Sequence, residues 1–81
     1  MSSEWGQVNN ALRKTFHFQN FSDAFAFASR VALLSDEMNH HPEITIAWGV
    51  CTVTLTTHDA QGVTEKDFIL SKKIDSILTD V

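Results

Sequence analysis

An alternation with a period of two runs through Ile44-Thr45-Ile46-Ala47-Trp48-Gly49-Val50-Cys51-Thr52-Val53-Thr54-Leu55-Thr56-Thr57. β-Branched and apolar residues that alternate with threonine are typical of strands with one buried face. Gly49 interrupts the alternation, so the segment predicts one strand before this glycine and a second strand over Val50–Thr57. Alternate side chains of the second strand are expected to face the core: Cys51, Val53 and Leu55.

A β-hairpin is predicted at the start of the chain. Asn9-Asn10 tolerates left-handed backbone and can turn the chain between Glu4–Val8 and Ala11–Phe18. Lys14 lies on the otherwise apolar side of the second of these strands. A lysine there favours an edge strand, where the aliphatic stem packs and the ammonium reaches water.

A first helix is predicted to follow this hairpin. Asn20-Phe21-Ser22-Asp23 is typical of a helix start, with Ser22 as the N-cap. The helix should end at Met38 or Asn39, because Pro42 disfavours helical backbone at the residue before it. Apolar residues recur along this segment at helical spacing, with Val31 and Phe27 beside them: Phe21, Phe25, Ala28, Ala32 and Leu33.

A second helix is predicted in the C-terminal segment. Gln61-Gly62-Val63 is a turn, and Thr64-Glu65-Lys66-Asp67 resembles a capping box with Asp in place of Glu. One helical stripe is apolar: Leu70, Ile74, Ile77, Leu78 and Val81. The element order is therefore ββαββα. It predicts a single α+β domain over residues 1–81, a four-stranded antiparallel sheet with helices packed on one face.

Composition and charge argue against several classes of function. The chain of 81 residues has a net charge of −4 and six basic residues, which argues against a nucleic-acid surface. No apolar run approaches the roughly 18 residues that span a bilayer, and the first residues lack a signal-peptide pattern, so no membrane partner is expected. The lone cysteine, Cys51, fits a reducing compartment, and we expect a cytoplasmic protein. Because a chain of this size buries a small core, we also expect a homodimer or homotetramer.

Three of the four histidines stand in one pattern with an acidic residue and a proline: Asp36, His40-His41-Pro42 and His58. Histidine gives and takes protons near neutral pH, so the pattern predicts a proton-handling site. Asp36 precedes His40 by one helical turn and could orient its ring. Pro42 holds His41 in extended geometry, so the rings of His40 and His41 are expected to point apart.

His58 is expected to reach this site from the end of the strand predicted over Val50–Thr57. Its place in the alternation puts it on the threonine face, away from the core and open to a substrate. Thr56 and Thr57 could donate hydrogen bonds to a ring substituent, and Trp48 could stack on a flat heterocycle. Two other interpretations stay open. One is a helix cap and a turn without chemistry; the other is a zinc or iron site built from Asp36, His40, His41 and His58.

The complete spacing resembles that of one known family. Pterin-4a-carbinolamine dehydratases share an acidic or basic residue, a His-His-Pro triplet, an aromatic residue, a histidine and an aspartate at set intervals. In this chain those positions are Asp36, His40-His41-Pro42, Trp48, His58 and Asp67. The similarity extends upstream through Trp5 and Phe16-His17-Phe18, so the chain resembles the family over nearly its whole length.

The resemblance implies a reaction and a set of roles. Members dehydrate 4a-hydroxytetrahydropterin to quinonoid dihydropterin in tetrahydrobiopterin recycling, without a metal or an organic cofactor. By position, His40 and His58 would form the acid–base pair. His41 would bind the pterin and assist, and Asp36 would orient His40. Asn39, where members often have aspartate, and Pro42 would complete the substrate-binding set.

Two further expectations come with the resemblance. The family usually carries an additional helix before the position of Trp5. This sequence starts near that point, so we expect the fold without that helix. The alternative to an enzyme is a non-catalytic binding or regulatory paralogue with the same fold, either of the coactivator type or linked to molybdopterin.

Overall fold

The computed structural model describes residues 5–79, which form four strands and two helices. The strands are β1 (Gly6–Val8), β2 (Ala11–His17), β3 (Glu43–Ala47) and β4 (Val50–Leu55). The helices are α1 (Phe21–Met38), between β2 and β3, and α2 (Glu65–Thr79), which follows a short 3₁₀ helix at His58–Ala60. This order confirms the predicted ββαββα arrangement and the α+β class.

The four strands form one antiparallel sheet in the order β1-β2-β4-β3. Both hairpins turn where the sequence predicts. Asn9 and Asn10 have φ of 51° and 64°, the two positive values that a type I′ turn requires, and Gly49 has φ of 75°. Three predicted core side chains of β4 are fully buried: Cys51, Val53 and Leu55.

Lys14 lies on a central strand, so the edge position predicted for it is wrong. β2 pairs with β1 on one side and with β4 on the other. Inside the domain, Nζ of Lys14 donates to Oδ1 of Asp75 at 2.8 Å and lies 4.9 Å from the centre of the Phe16 ring. The indole N–H of Trp5 donates to the same carboxylate. A carboxylate and an aromatic face replace the water that an edge position would supply.

The N-cap of α1 is Asn20, whereas the predicted cap, Ser22, lies inside the first turn. Oδ1 of Asn20 accepts the backbone N–H of Asp23 at 2.8 Å. The short amide side chain reaches this N–H from extended backbone, which is the usual geometry of an N-cap. The helix ends at Met38, as predicted, and Asn39 closes it in left-handed conformation with φ of 52°.

The buried face of α1 shares only Ala28 with the predicted stripe. Phe25 and Leu33 are 56% and 64% exposed. Phe27 is buried instead, with its ring centre 4.6 Å from that of Phe16 and 5.2 Å from that of Phe18. Mostly small residues surround it on the buried face: Ala24, Ala28, Val31 and Ser35. Both stripes have helical spacing, and the small residues let the helix approach the sheet closely enough for Phe27 to pack.

The hydrophobic core lies between the sheet and the two helices. It combines side chains of β2, β4, α1 and α2: Leu12, Phe16, Ala24, Phe27, Ala28, Val31, Cys51, Val53, Leu55, Leu70, Ile74 and Ile77. Of the stripe predicted for α2, Leu78 is 46% exposed and Val81 lies outside the described residues. Neither helix within residues 5–79 is long and apolar enough to cross a membrane.

Candidate active site

The end of α1 separates two adjacent histidines. Asn39 adopts left-handed backbone and donates its N–H to the Asp36 carbonyl at 3.1 Å, and the N–H of His40 donates to the Ser35 carbonyl at 3.0 Å. These bonds satisfy carbonyl groups that a helix end leaves without partners. Because the helix stops before His40, the helical i, i+4 geometry between Asp36 and His40 is lost.

His40 is held by a buried carboxylate at the start of α2. Its Nε2 lies 2.6 Å from Oδ1 of Asp67; the His40 side chain is 10% exposed and that of Asp67 is fully buried. The other oxygen, Oδ2, accepts the Thr57 hydroxyl at 2.8 Å and the Thr64 backbone N–H at 2.9 Å. An ionised Asp67 is therefore satisfied by three donors, of which the His40 ring is one.

The carboxylate predicted to orient His40 contacts His41 instead. Nε2 of His41 lies 3.0 Å from Oδ1 of Asp36, and both side chains are mainly exposed. The predicted contact needs helical geometry to continue to His40, whereas the left-handed residue Asn39 ends the helix at Met38. An exposed pair of this kind is weak, about 0–1 kcal/mol, so Asp36 restrains His41 less than Asp67 restrains His40.

An open cleft of about 290 Å³ lies beside this helix end. Six residues line it: His41, Pro42, Glu43, Thr54, Thr56 and His58. The register of the sheet explains the grouping, because Glu43 of β3 stands opposite Thr54 of β4. His58 is exposed, as predicted, although it begins the 3₁₀ helix after β4 and does not continue the strand. The cleft joins two of the predicted histidines with hydroxyl groups and one carboxylate.

Other predicted site residues lie outside this lining. His40 is bonded to Asp67, and Thr57 donates to the same carboxylate. Trp48 is 74% exposed in the β3–β4 turn, at the opposite end of β3 from Glu43. At about 3.3 Å per strand residue, five positions separate the two by roughly 16 Å, so the chain's own Trp48 does not border the cleft.

The four side chains of the metal-site interpretation do not converge. His40 is bonded to Asp67 and His41 to Asp36, so the two rings use different carboxylates. Within residues 5–79, no group of three His, Cys, Asp or Glu side chains is placed to hold a metal ion.

Two features of the site escaped residue-level reasoning. Glu43 lines the cleft, and its only signal in the sequence is its position directly after Pro42. The sequence predicts Asp67 as a helix cap, and half of that capping box is present, since its Oδ2 accepts the Thr64 N–H. The capping role concealed the second role, because Oδ1 of the same carboxylate is free to bind His40.

Comparison with known proteins identifies the family. Residues 1–77 match the sequence model of the family described as pterin 4 alpha carbinolamine dehydratase. The chain belongs to the pterin-4-alpha-carbinolamine dehydratase family. A Roseiflexus protein named provisionally as such a dehydratase is 47% identical over 74 residues, which cover 91% of this chain and 80% of the relative. A protein of Sulfurisphaera tokodaii with the same provisional name is 45% identical over 75 residues, covering 93% of this chain and 81% of the relative.

Solved structures place the same family on this fold. A Brucella melitensis protein described as a transcriptional coactivator/pterin dehydratase has a TM-score of 0.85 at 39% identity, covering 90% of this chain and 80% of that one. A pterin dehydratase-like protein identified as a RuBisCO assembly factor in the alpha-carboxysome has a TM-score of 0.72 at 23% identity, covering 94% of this chain and 88% of that one. The second likeness concerns the fold alone.

Proposed function

We propose that this chain dehydrates 4a-hydroxytetrahydropterin to quinonoid dihydropterin by histidine general acid–base catalysis. The observation that carries the proposal is the arrangement of three histidines. His41 and His58 line one cleft, and His40 is bonded to the buried carboxylate of Asp67. Membership of the dehydratase family supports the choice of a hydroxylated pterin as substrate.

The proposed reaction needs one proton removed and one proton supplied. A base takes the proton of a ring nitrogen, a C=N bond forms, the C4a–O bond breaks, and an acid protonates the departing hydroxyl to water. Two histidines in opposite protonation states can do both near neutral pH, and positioned acid–base groups contribute about 10²–10⁴-fold. We assign His40 and His58 to this pair and His41 to binding the pterin.

The cleft offers a polar surface that suits a pterin ring. The Thr54 hydroxyl can donate to a ligand. The Glu43 carboxylate and the Thr56 oxygen can accept, because the Thr56 hydroxyl donates its proton to the Asn10 carbonyl at 3.0 Å. Pro42 adds a rigid apolar wall. Such a mixture of few polar groups and a fixed apolar surface is typical of small-molecule sites. Asn39 serves this site through the left-handed turn that separates His40 from His41.

The dehydration assay tests this function directly. The 4a-hydroxytetrahydropterin is generated in situ, and its loss is followed with wild type, His58→Ala and His17→Ala. His17 is a matched control because it is an exposed histidine of β2 that does not line the cleft. We expect wild type and His17→Ala to exceed the spontaneous rate equally, and His58→Ala to lose about 100-fold or more in kcat. A wild-type rate equal to the spontaneous rate contradicts the enzyme function.

The alternative is a non-catalytic binding or regulatory role on the same fold. The observation that favours it is the Brucella melitensis relative, which is described as a coactivator as well as a pterin dehydratase. The alternative requires an inactive wild type that still binds pterin or a protein partner. Isothermal titration with dihydropterin detects pterin binding by an inactive wild type, and co-purification with a protein partner detects the second case.

We further propose a cytoplasmic homo-oligomer that acts in tetrahydrobiopterin recycling. Among residues 5–79, β3 pairs on one side only, and Phe21 and Phe25 of α1 are about half exposed. An unpaired edge and exposed apolar rings both favour association with a second copy. Sedimentation velocity at micromolar concentration tests this, and a monomeric mass contradicts it.

A further inference from the structure

We propose that Thr57 is a positioning residue that couples the ring of His40 to the loop that carries His58. The sequence predicts that Thr57 donates to the substrate, whereas its hydroxyl donates to Oδ2 of Asp67 at 2.8 Å. The kinetic part of this inference rests on the proposed dehydratase function. Its structural part concerns the His40 ring alone and can be measured without substrate.

The direction of each hydrogen bond follows from the number of protons available. Thr57 has one hydroxyl proton, and this proton goes to Asp67. Oγ1 of Thr64 lies 2.7 Å from Oγ1 of Thr57, so Thr64 is the donor in that bond. Thr64 also donates its backbone N–H to Oδ2 of Asp67 at 2.9 Å. Both acceptor positions of Oδ2 are thus occupied, and Oδ1 is left for His40.

This bonding pattern selects one tautomer of His40. Oδ1 of an ionised Asp67 can only accept, so Nε2 of His40 must carry a proton. Nδ1 is then the nitrogen that remains to take up or release a proton. If the Thr57 hydroxyl is removed, the carboxylate loses one of its three donors, and its plane is no longer held against the imidazole.

The backbone of Thr57 closes the loop that carries His58. Its N–H donates to the Gly62 carbonyl at 3.0 Å, and its carbonyl accepts the N–H of Gly62 at 3.3 Å and of Ala60 at 3.1 Å. This bridge closes the loop that begins at His58. The same residue therefore fixes the partner of His40 through its side chain and the loop of His58 through its main chain.

The structural test observes the His40 ring in ¹⁵N-labelled protein by NMR. Thr57→Val removes the hydroxyl and keeps the shape, Thr57→Ser keeps the hydroxyl, and Thr52→Val is the matched control. Thr52 forms a similar hydroxyl pair, 3.0 Å from Oγ1 of Thr15, on the exposed side of the sheet. We expect His40 to be protonated at Nε2 in wild type, Thr57→Ser and Thr52→Val, and to show mixed tautomers in Thr57→Val.

The kinetic test separates positioning from substrate binding. Removal of a group that orients a metal-bound histidine lowers metal affinity or activity roughly 10–100-fold. We expect a fall in kcat of this order in Thr57→Val. KM should change less than threefold, because the hydroxyl does not face the cleft. Thr57→Ser should recover most of kcat, and Thr52→Val should match wild type. A rise in KM with kcat unchanged indicates substrate contact and overturns the positioning role.

The outcomes distinguish this inference from the function on which it rests. A folded Thr57→Val variant whose His40 spectrum equals that of wild type overturns the inference at any activity. A wild type without dehydratase activity, but with the expected spectral change in Thr57→Val, refutes the proposed function and supports the positioning of the His40 ring by Thr57. If Thr57→Val does not fold, the His40 spectrum of Thr57→Ala, which removes the same hydroxyl with a smaller side chain, decides in the same way.

Discussion

Nε2 of His40 lies 2.6 Å from Oδ1 of Asp67, although the two residues are 27 positions apart in the chain. His40 follows α1, Asp67 lies in the first turn of α2, and the whole β3–β4 hairpin stands between them. The pair therefore forms only when both helix ends are docked on the sheet. Assembly of the candidate site and completion of the fold are the same event for these two side chains.

Asp67→Asn is expected to lower both the stability and the activity. The amide places an NH₂ group where one carboxylate oxygen now accepts, so at least one buried donor loses its partner, at a cost of about 1–3 kcal/mol in the free energy of unfolding. Urea denaturation measures this cost, and the dehydration assay should show a parallel fall in kcat. The comparison variant for stability is Asp36→Asn, whose exposed bond to His41 should be worth less than about 1 kcal/mol. Equal losses in the two variants contradict the assignment of Asp67 as the stronger partner.

The Lys14–Asp75 ion pair is expected to respond unequally to the loss of each partner. The side chain of Lys14 is 8% exposed and that of Asp75 is 40% exposed. Lys14→Met leaves a carboxylate that water can reach and should cost about 1 kcal/mol or less. Asp75→Ala leaves a buried ammonium without its partner and should cost about 2–4 kcal/mol. Denaturation followed by circular dichroism measures both costs, and small, equal costs in the two variants contradict the burial assigned to the Lys14 ammonium.

Phe27→Ala and Phe25→Ala test which face of α1 is buried. Phe27 is 4% exposed and packs on two other aromatic rings, so its truncation should cost about 3–5 kcal/mol. Phe25 is 56% exposed, and its truncation should cost less than about 1 kcal/mol in a monomer. Thermal denaturation of both variants at equal concentration provides the measurement. Similar losses at both positions argue that Phe25 is buried as well, as it would be in an oligomer.

The thiol of Cys51 is expected to be unreactive in the folded chain. The side chain is fully buried, and burial raises the pKa of the thiol above its ordinary value of 9.0. Folded protein should react with a disulfide reagent at pH 8 far more slowly than protein in urea, because the thiolate is the reactive form. Fast labelling without urea contradicts the assigned burial.

The same pKa shift predicts a loss of stability at alkaline pH. Above about pH 9 the unfolded chain releases the thiol proton while the folded chain retains it, so the free energy of unfolding falls as pH rises. Cys51→Ala should lack this component of the alkaline decline. Urea denaturation of both proteins between pH 7 and about pH 10 measures the difference.

Local sequence patterns predicted the helices and strands of this fold. They did not predict which face of α1 is buried or which residue pairs with Lys14. The β4 strand was predictable because alternation fixes which side chains of a strand face the core, as it does for Cys51 and Val53. For α1, two stripes had helical spacing, and only the packing of Phe27 against β2 selects between them. Lys14 was misplaced because its partner, Asp75, lies 61 positions away, where no local pattern reaches.

The candidate site shows the same limit. The exposure of His58 and the divergence of His40 and His41 followed from local backbone rules. The choice between Asp36 and Asp67 as partner of His40 depended on the exact residue at which α1 stops. Helical geometry carried on to His40 would place its ring near Asp36, whereas the stop at Met38 leaves it to the buried, long-range carboxylate of Asp67.

The left-handed residue Asn39 also gives two neighbouring imidazole rings unequal access to solvent. The His41 side chain is 59% exposed. The His40 side chain is 10% exposed and hydrogen-bonded to Asp67. A dissolved reagent that modifies imidazole should therefore react with His41 before His40, and the single backbone turn between them sets that order.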